Sequence, residues 1–147
     1  MSIAKKVSTL CSFIVFIPAL ASAGTLKSMD KDEVTTTFKD KTITTISAAT
    51  LNNEVISDSF SGYFANDGKM LGKFASQPKD QPQDDTGTWN VNSEGKLCYK
   101  WDHWNSGKDK CAAIYKLSNG LLVINDQNGF ESFILSANLK SGNQVPK

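Results

Sequence analysis

Arginine is missing from this sequence: all sixteen basic side chains are lysines, set against fifteen acids, for a formal charge of +1. Arginine's planar fork is the usual bidentate reader of phosphate and guanine, so nucleic-acid recognition has neither the charge nor the side chain it needs. Histidine is nearly missing too, with His103 alone. A serine–histidine–acid triad would have to run through that one residue, and a zinc site would need ligands from distant strands. Cysteine occurs at 11, 98 and 111 only, never in the Cys-x-x-Cys spacing of redox or zinc motifs. No catalytic residue, metal-ligand set or cofactor is expected.

Long apolar runs are also absent, apart from one at the start. Lys5 and Lys6, the run from Leu10 to Leu20 and the small residues Ala21-Ser22-Ala23 have the layout of an export signal, with cleavage expected after Ala23. The run falls short of the roughly 20 residues that a ~30 Å hydrocarbon core requires, and Pro18 interrupts it. Cys11 lies too early to be a lipidated cysteine, because most of the run follows it. The mature protein is therefore expected to be periplasmic or secreted and to carry no membrane span. Processing leaves residues 24–147, enough for one domain. It also takes away two lysines, so the charge moves from +1 to −1. Cys98 and Cys111 remain, an even count that reads as one disulfide in an exported chain. A closed loop of about 15 residues is worth roughly 3 kcal/mol.

What the sequence does contain is turn punctuation at short intervals. Asp30-Lys31-Asp32-Glu33 is a capping-box pattern, and Val34 with Phe38 makes an i, i+4 apolar pair, predicting one short helix over 30–38. From Lys41 the turns Asn52-Asn53, Asp67-Gly68, Glu94-Gly95, Asn119-Gly120 and Asn128-Gly129 separate β-branched and aromatic runs. Eight strands are predicted, near 41–49, 54–65, 69–75, 87–92, 97–103, 110–117, 121–126 and 130–136. Asp-Gly and Asn-Gly suit the primed turns of antiparallel hairpins, so the strands form a meander. The fold class is all-β, an eight-stranded meander closing as a small lipocalin-like barrel with one N-terminal helix. A sandwich of two small sheets is the other arrangement open to it. The stretch 76–86, with two prolines and three aspartates, is predicted to be a solvated loop, with Asp84 and Asp85 as solubilising charge. The polar tail after Ala137 is predicted to fray.

Candidate ligand-binding residues lie in two stretches. Alternation sets Trp89 and Val91, and Leu97, Tyr99 and Trp101, on one face, with Lys100 and Asp102 on the other. In "WDHWNSG", Trp101 and Trp104 flank Asp102 and His103, a combination able to stack a flat ligand or seat a partner's apolar anchor. The structural alternative is that Trp101 is core and the rest is turn. Tyr63 and Phe64 sit before a tight turn, with Met70, Leu71 and Phe74 after it. They line a pocket or fill the barrel with their own side chains.

Taken in order, "FKDKTI" at 38–43, "GYFANDGKMLGKF" at 62–74, "DTGTWNV" at 85–91, "KLCYKW" at 96–101, "KCAAIYKL" at 110–117 and the glycine turn in "NDQNG" resemble a family of small exported bacterial proteins known as domain of unknown function 995. The resemblance covers about 100 residues, from Phe38 to "SGN" at 141–143. It implies an exported, disulfide-linked β-rich domain and brings no catalytic residues with it. The expected role is a non-catalytic binding protein for a small apolar ligand or a protein partner, through Tyr63, Phe64, Trp89, Trp101, His103 and Trp104. The alternative is an enzyme inhibitor acting through the 101–109 loop.

Overall fold

The computed structural model describes residues 26–46, 48–51, 54–57, 59–76, 80–125 and 129–147. The expected export signal at 1–23, the Asn52-Asn53 turn and Asn128 lie outside the described residues. One helix, α1 (Lys31–Phe38), opens the fold. Its capping box is formed on both sides: Glu33 N–H donates to Asp30 Oδ1 and Asp30 N–H donates to Glu33 Oε2, each at 2.9 Å. Val34 and Phe38 are its buried residues, as the i, i+4 spacing requires.

Eleven strands follow among the described residues: β1 (Lys41–Thr44), β2 (Ala48–Leu51), β3 (Glu54–Ser57), β4 (Phe60–Phe64), β5 (Lys69–Phe74), β6 (Asp84–Val91), β7 (Leu97–Trp101), β8 (Lys110–Leu117), β9 (Gly120–Asn125), β10 (Gly129–Leu135) and β11 (Leu139–Ser141). The two longest predicted strands each break in two, giving β1 with β2 and β3 with β4. Strands β2 and β3 pair only with each other, as a separate antiparallel hairpin. The other nine form one antiparallel sheet in the order β10-β9-β8-β7-β6-β5-β4-β1-β11. The sheet curls into a nearly closed barrel. Its seam is made by β10 and β11 in succession: Ile46 N–H, just past β1, donates to Phe133 O of β10 at 3.1 Å, and β11 then pairs with β1 from Leu139↔Ile43 to Ser141↔Lys41.

The tail is thus not frayed. Thr42 is buried, donates through Oγ1 to Gly142 O at 2.7 Å and accepts from Gln144 N–H at 2.9 Å. A polar strand such as β11 escapes a search for apolar runs because its pairing is supplied by the backbone.

Helix α1 plugs one end. Asp40 N–H donates to Phe64 O at 2.8 Å, and Met29 N–H donates to Ile114 O at 2.7 Å. Gly95 turns the β6–β7 hairpin with φ at 79°, so close beneath Met29 and Asp30 that a side chain there would strike their backbone. The opposite end, where β5 leads to β6 and β7 to β8, carries the longer loops and forms the mouth. Cys98 and Cys111 are directly opposed on β7 and β8, bridged with Cα atoms 4.0 Å apart. They lie on the outer face, since their neighbours Leu97 and Ala112 are core. The β7–β8 pairing ends at Tyr99↔Lys110, and among the described residues no ion pair joins Lys100 to Asp109. No helix of the described residues is long and apolar enough to cross a membrane.

Candidate functional site: the barrel interior

Inward-facing positions follow from register. Gly62 of β4 lies opposite Gly72 of β5, and Gly87 of β6 lies opposite Trp101 of β7. These glycines leave bare backbone on which large rings rest: a Cβ at Gly72 would come within 2.5 Å of Trp101, 2.6 Å of Phe60 and 2.8 Å of Trp104. The rings form one cluster. Trp104 packs on Trp101 and on Phe74 with centroids 4.7 Å apart in each case, and Phe60 meets Trp101 edge-on at 5.7 Å. Such tilted and edge contacts suit the ring quadrupoles.

Beneath and beside this cluster is a cavity of ≈ 420 Å³. Phe38 and Phe64 line it toward α1, while Trp101, Trp104, Gln81 and Asn105 line it toward the mouth. Its other side is polar. Lys110, Tyr99, Glu131 and Ser132 also line it, and Asn125 is buried behind Glu131.

Glu131 reaches the interior by a local irregularity. Phe130 pairs with Ile124 and Ser132 with Val123, so one residue of β10, Glu131, has no opposite number. This is a β-bulge, which re-aims side chains and recurs beside functional sites. Phe130 is consequently turned out, 49% exposed, while Glu131 and Ser132 both face the cavity. The Glu131 carboxylate accepts from the Tyr99 hydroxyl at Oε1 and from Asn125 Nδ2 at 2.8 Å at Oε2. Burial, the charge of Glu131 and the hydrogen bond to it together hold the Tyr99 hydroxyl far above its ordinary range, so it stays a neutral donor.

The lip of the mouth is fastened by Asp85. Expected to be solubilising charge in a loop, it is instead the second residue of β6, inward-facing and 5% exposed. Its carboxylate accepts from Thr86 N–H (2.9 Å), His103 N–H (2.8 Å), Trp104 N–H (2.7 Å) and His103 Nδ1 (2.9 Å). Burial pushes its pKa up, but the bonds from Trp104, the His103 ring, His103 N–H and Thr86 outweigh burial, and the net shift is down. The same bond and charge from Asp85 raise the His103 pKa, helped by Asp102 and opposed by slight desolvation. Trp104 is locked from a second side as Nε1 donates to Pro82 O at 2.7 Å.

The predicted site residues separate accordingly. Phe64, Trp101 and Trp104 line the cavity. Trp89 is core beside it, edge-on to Phe64 at 5.5 Å with Nε1 donating to Ala65 O. Tyr63 belongs to the outer face, where its hydroxyl donates to Asp40 Oδ1 at 2.7 Å, and it does not line the cavity. His103 sits on the rim, its side chain 72% exposed. Trp104 is 3% exposed and so offers no surface anchor to a protein partner. Sequence reasoning missed Glu131, Asn125 and Asp85. Tyr99 was within reach, since its alternation with Leu97 and Trp101 already put it on the inner face.

The geometry defines a class: a small antiparallel barrel with an internal, mainly apolar cavity that carries a polar group of residues on one side. Beyond that class, comparison with protein-family models, with curated proteins and with solved structures finds no match in any of the three.

Proposed function

We propose that the protein is an exported, non-catalytic binding protein that holds a small, mainly apolar molecule inside the barrel. The observation that carries this reading is the ≈ 420 Å³ cavity, which falls in the range of about 300–1,000 Å³ typical of small-molecule sites. A predominantly apolar wall of aromatic and aliphatic side chains, such as Phe60, Trp101, Ile43 and Val123, with a few convergent polar groups is the usual composition of such a site. The disulfide accords with an oxidising compartment. Membership of the exported family resembled by the Gly-Thr-Trp, Cys and Cys order belongs to the same proposal.

Native mass spectrometry of the protein recovered from its own cell envelope, without denaturation, tests it. A mass excess of a few hundred daltons that is lost on unfolding is the expected result. A second polypeptide in place of that excess, released when the 101–109 loop is altered at His103, would transfer the reading to an inhibitor.

A further inference from the structure

We infer that the ligand is a small amphiphilic amine, its cationic nitrogen on Glu131 and its apolar body against the aromatic wall. This rests on the carrier reading above and narrows it to a chemical class. The two charged lining residues and the buried amide behind them share one side of the mouth: Lys110 begins β8, Asn125 ends β9 and Glu131 lies near the start of β10. The rings of Phe60, Phe74, Trp101 and Trp104 come from β4, β5, β7 and the turn after it. A molecule filling the cavity therefore meets the Glu131 carboxylate, with Lys110 nearby in the lining, at one part of its surface and mainly aromatic and aliphatic side chains over the rest.

The carboxylate is short of positive charge. Both of its known partners, the Tyr99 hydroxyl and the Asn125 amide, are neutral donors, and among the described residues no ion pair joins Glu131 to Lys110 or to any other cation. Each carboxylate oxygen can accept more than one hydrogen bond, so one donor on each leaves room for an ammonium. A charge-assisted bond of that kind is about twice as strong as a neutral one. Ring faces add to the preference, because their quadrupoles attract cations that lie over them. A fatty acid would instead bring a second carboxylate beside Glu131, a like charge in a partly dry site that the Lys110 ammonium of the same lining would have to offset. The bulge is what makes the difference. With regular pairing through β10, Glu131 would face solvent and the cavity would lose the one acid among its described lining residues.

The test uses three probes of one chain length, octylammonium, octanol and octanoate, titrated at neutral pH into the whole mature protein and followed by tryptophan fluorescence and calorimetry. Octylammonium is expected to bind about tenfold or more tighter than octanoate, a step of about 1.4 kcal/mol, with octanol between them. In Glu131→Gln the amine and acid are expected to converge while octanol affinity changes by less than about twofold, which is within 0.5 kcal/mol. Octanoate binding as tightly as octylammonium in the wild-type protein overturns the amine assignment and leaves the carrier reading standing. That comparison needs no variant, so a folding defect in Glu131→Gln cannot obscure it. Failure of all three probes to bind a natively folded sample overturns both.

Discussion

Replacing Asp85 with alanine removes the acceptor of four hydrogen bonds at once, three of them from backbone N–H groups. The donors differ in what they lose. Thr86 and His103 are exposed residues with water in reach, whereas Trp104 is 3% exposed and its N–H is stranded. One stranded buried donor costs about 1–3 kcal/mol. Freeing the 102–107 turn adds the partial loss of Trp104 packing, for a total of about 2–4 kcal/mol. At roughly 4 °C per kcal/mol for a domain of this size, the melting temperature falls by about 8–16 °C. Circular dichroism and tryptophan fluorescence melts in non-reducing buffer measure it. His103→Ala is the control: it leaves the three backbone bonds on Asp85 intact, and its ring is largely in water, so its melt stays close to wild type. A D85A melt within about 2 °C of wild type, or one no worse than H103A, refutes Asp85 as the fastener of the mouth.

The same residues set a pH dependence with two limbs. The folded pKa of Asp85 is depressed, so its stabilisation is complete above the unfolded value of about 3.9 and is lost as pH falls through the lower folded value. The folded pKa of His103 is raised, so its small contribution is present below about 6.5 and is lost as pH rises through the raised value. Urea midpoints measured across pH should flatten on the acid side in Asp85→Asn and on the alkaline side in His103→Ala; an acid limb unchanged in Asp85→Asn contradicts the assignment. Gly72→Ala, which drives a methyl into the Trp101, Phe60 and Trp104 rings, should cost about 1–3 kcal/mol and weaken probe binding as the rings shift into the cavity. Unchanged stability together with unchanged octanol affinity would mean the rings do not rest on Gly72.

The parts of this fold that were legible are those decided within a few residues. The Asp30–Glu33 capping box fixed the start of α1, and Asp67-Gly68 and Glu94-Gly95 marked hairpins whose glycines adopt φ of 81° and 79°. The disulfide was legible because only Cys98 and Cys111 remain once the expected signal segment with Cys11 is set aside, a count that requires little tertiary knowledge. The parts that were hidden depend on partners far along the chain. Asp85 looked like one charge among several in "SQPKDQPQDDT", since its donors at His103 and Trp104 lie 18 and 19 residues away. Glu131 was hidden for a different reason: strict alternation from Ile134 puts it outside, and a bulge leaves no mark in "NGFESF". The aromatic cavity was half visible: Phe64, Trp101 and Trp104 line it, whereas Tyr63, a candidate beside Phe64, faces outward to Asp40. Adjacent residues of a strand point to opposite faces, so of Tyr63 and Phe64 one faces in, and only the neighbouring register decides which.

The seam between β1 and β11 sets an order of events. Its side-chain bonds, Lys41 Nζ to Ser141 Oγ and Thr42 Oγ1 to Gly142 O, join positions 100 residues apart in sequence. Contacts at such separation form late, because the entropy of closing so long a loop is lost before any of them can offset it. A chain that emerges amino end first therefore holds β1 as a raw edge until β11 arrives, and in that interval the edge is open to pairing with another chain. β11 and the residues just after it thus act as a clasp on the barrel, and the time before it closes is when the β1 edge is open.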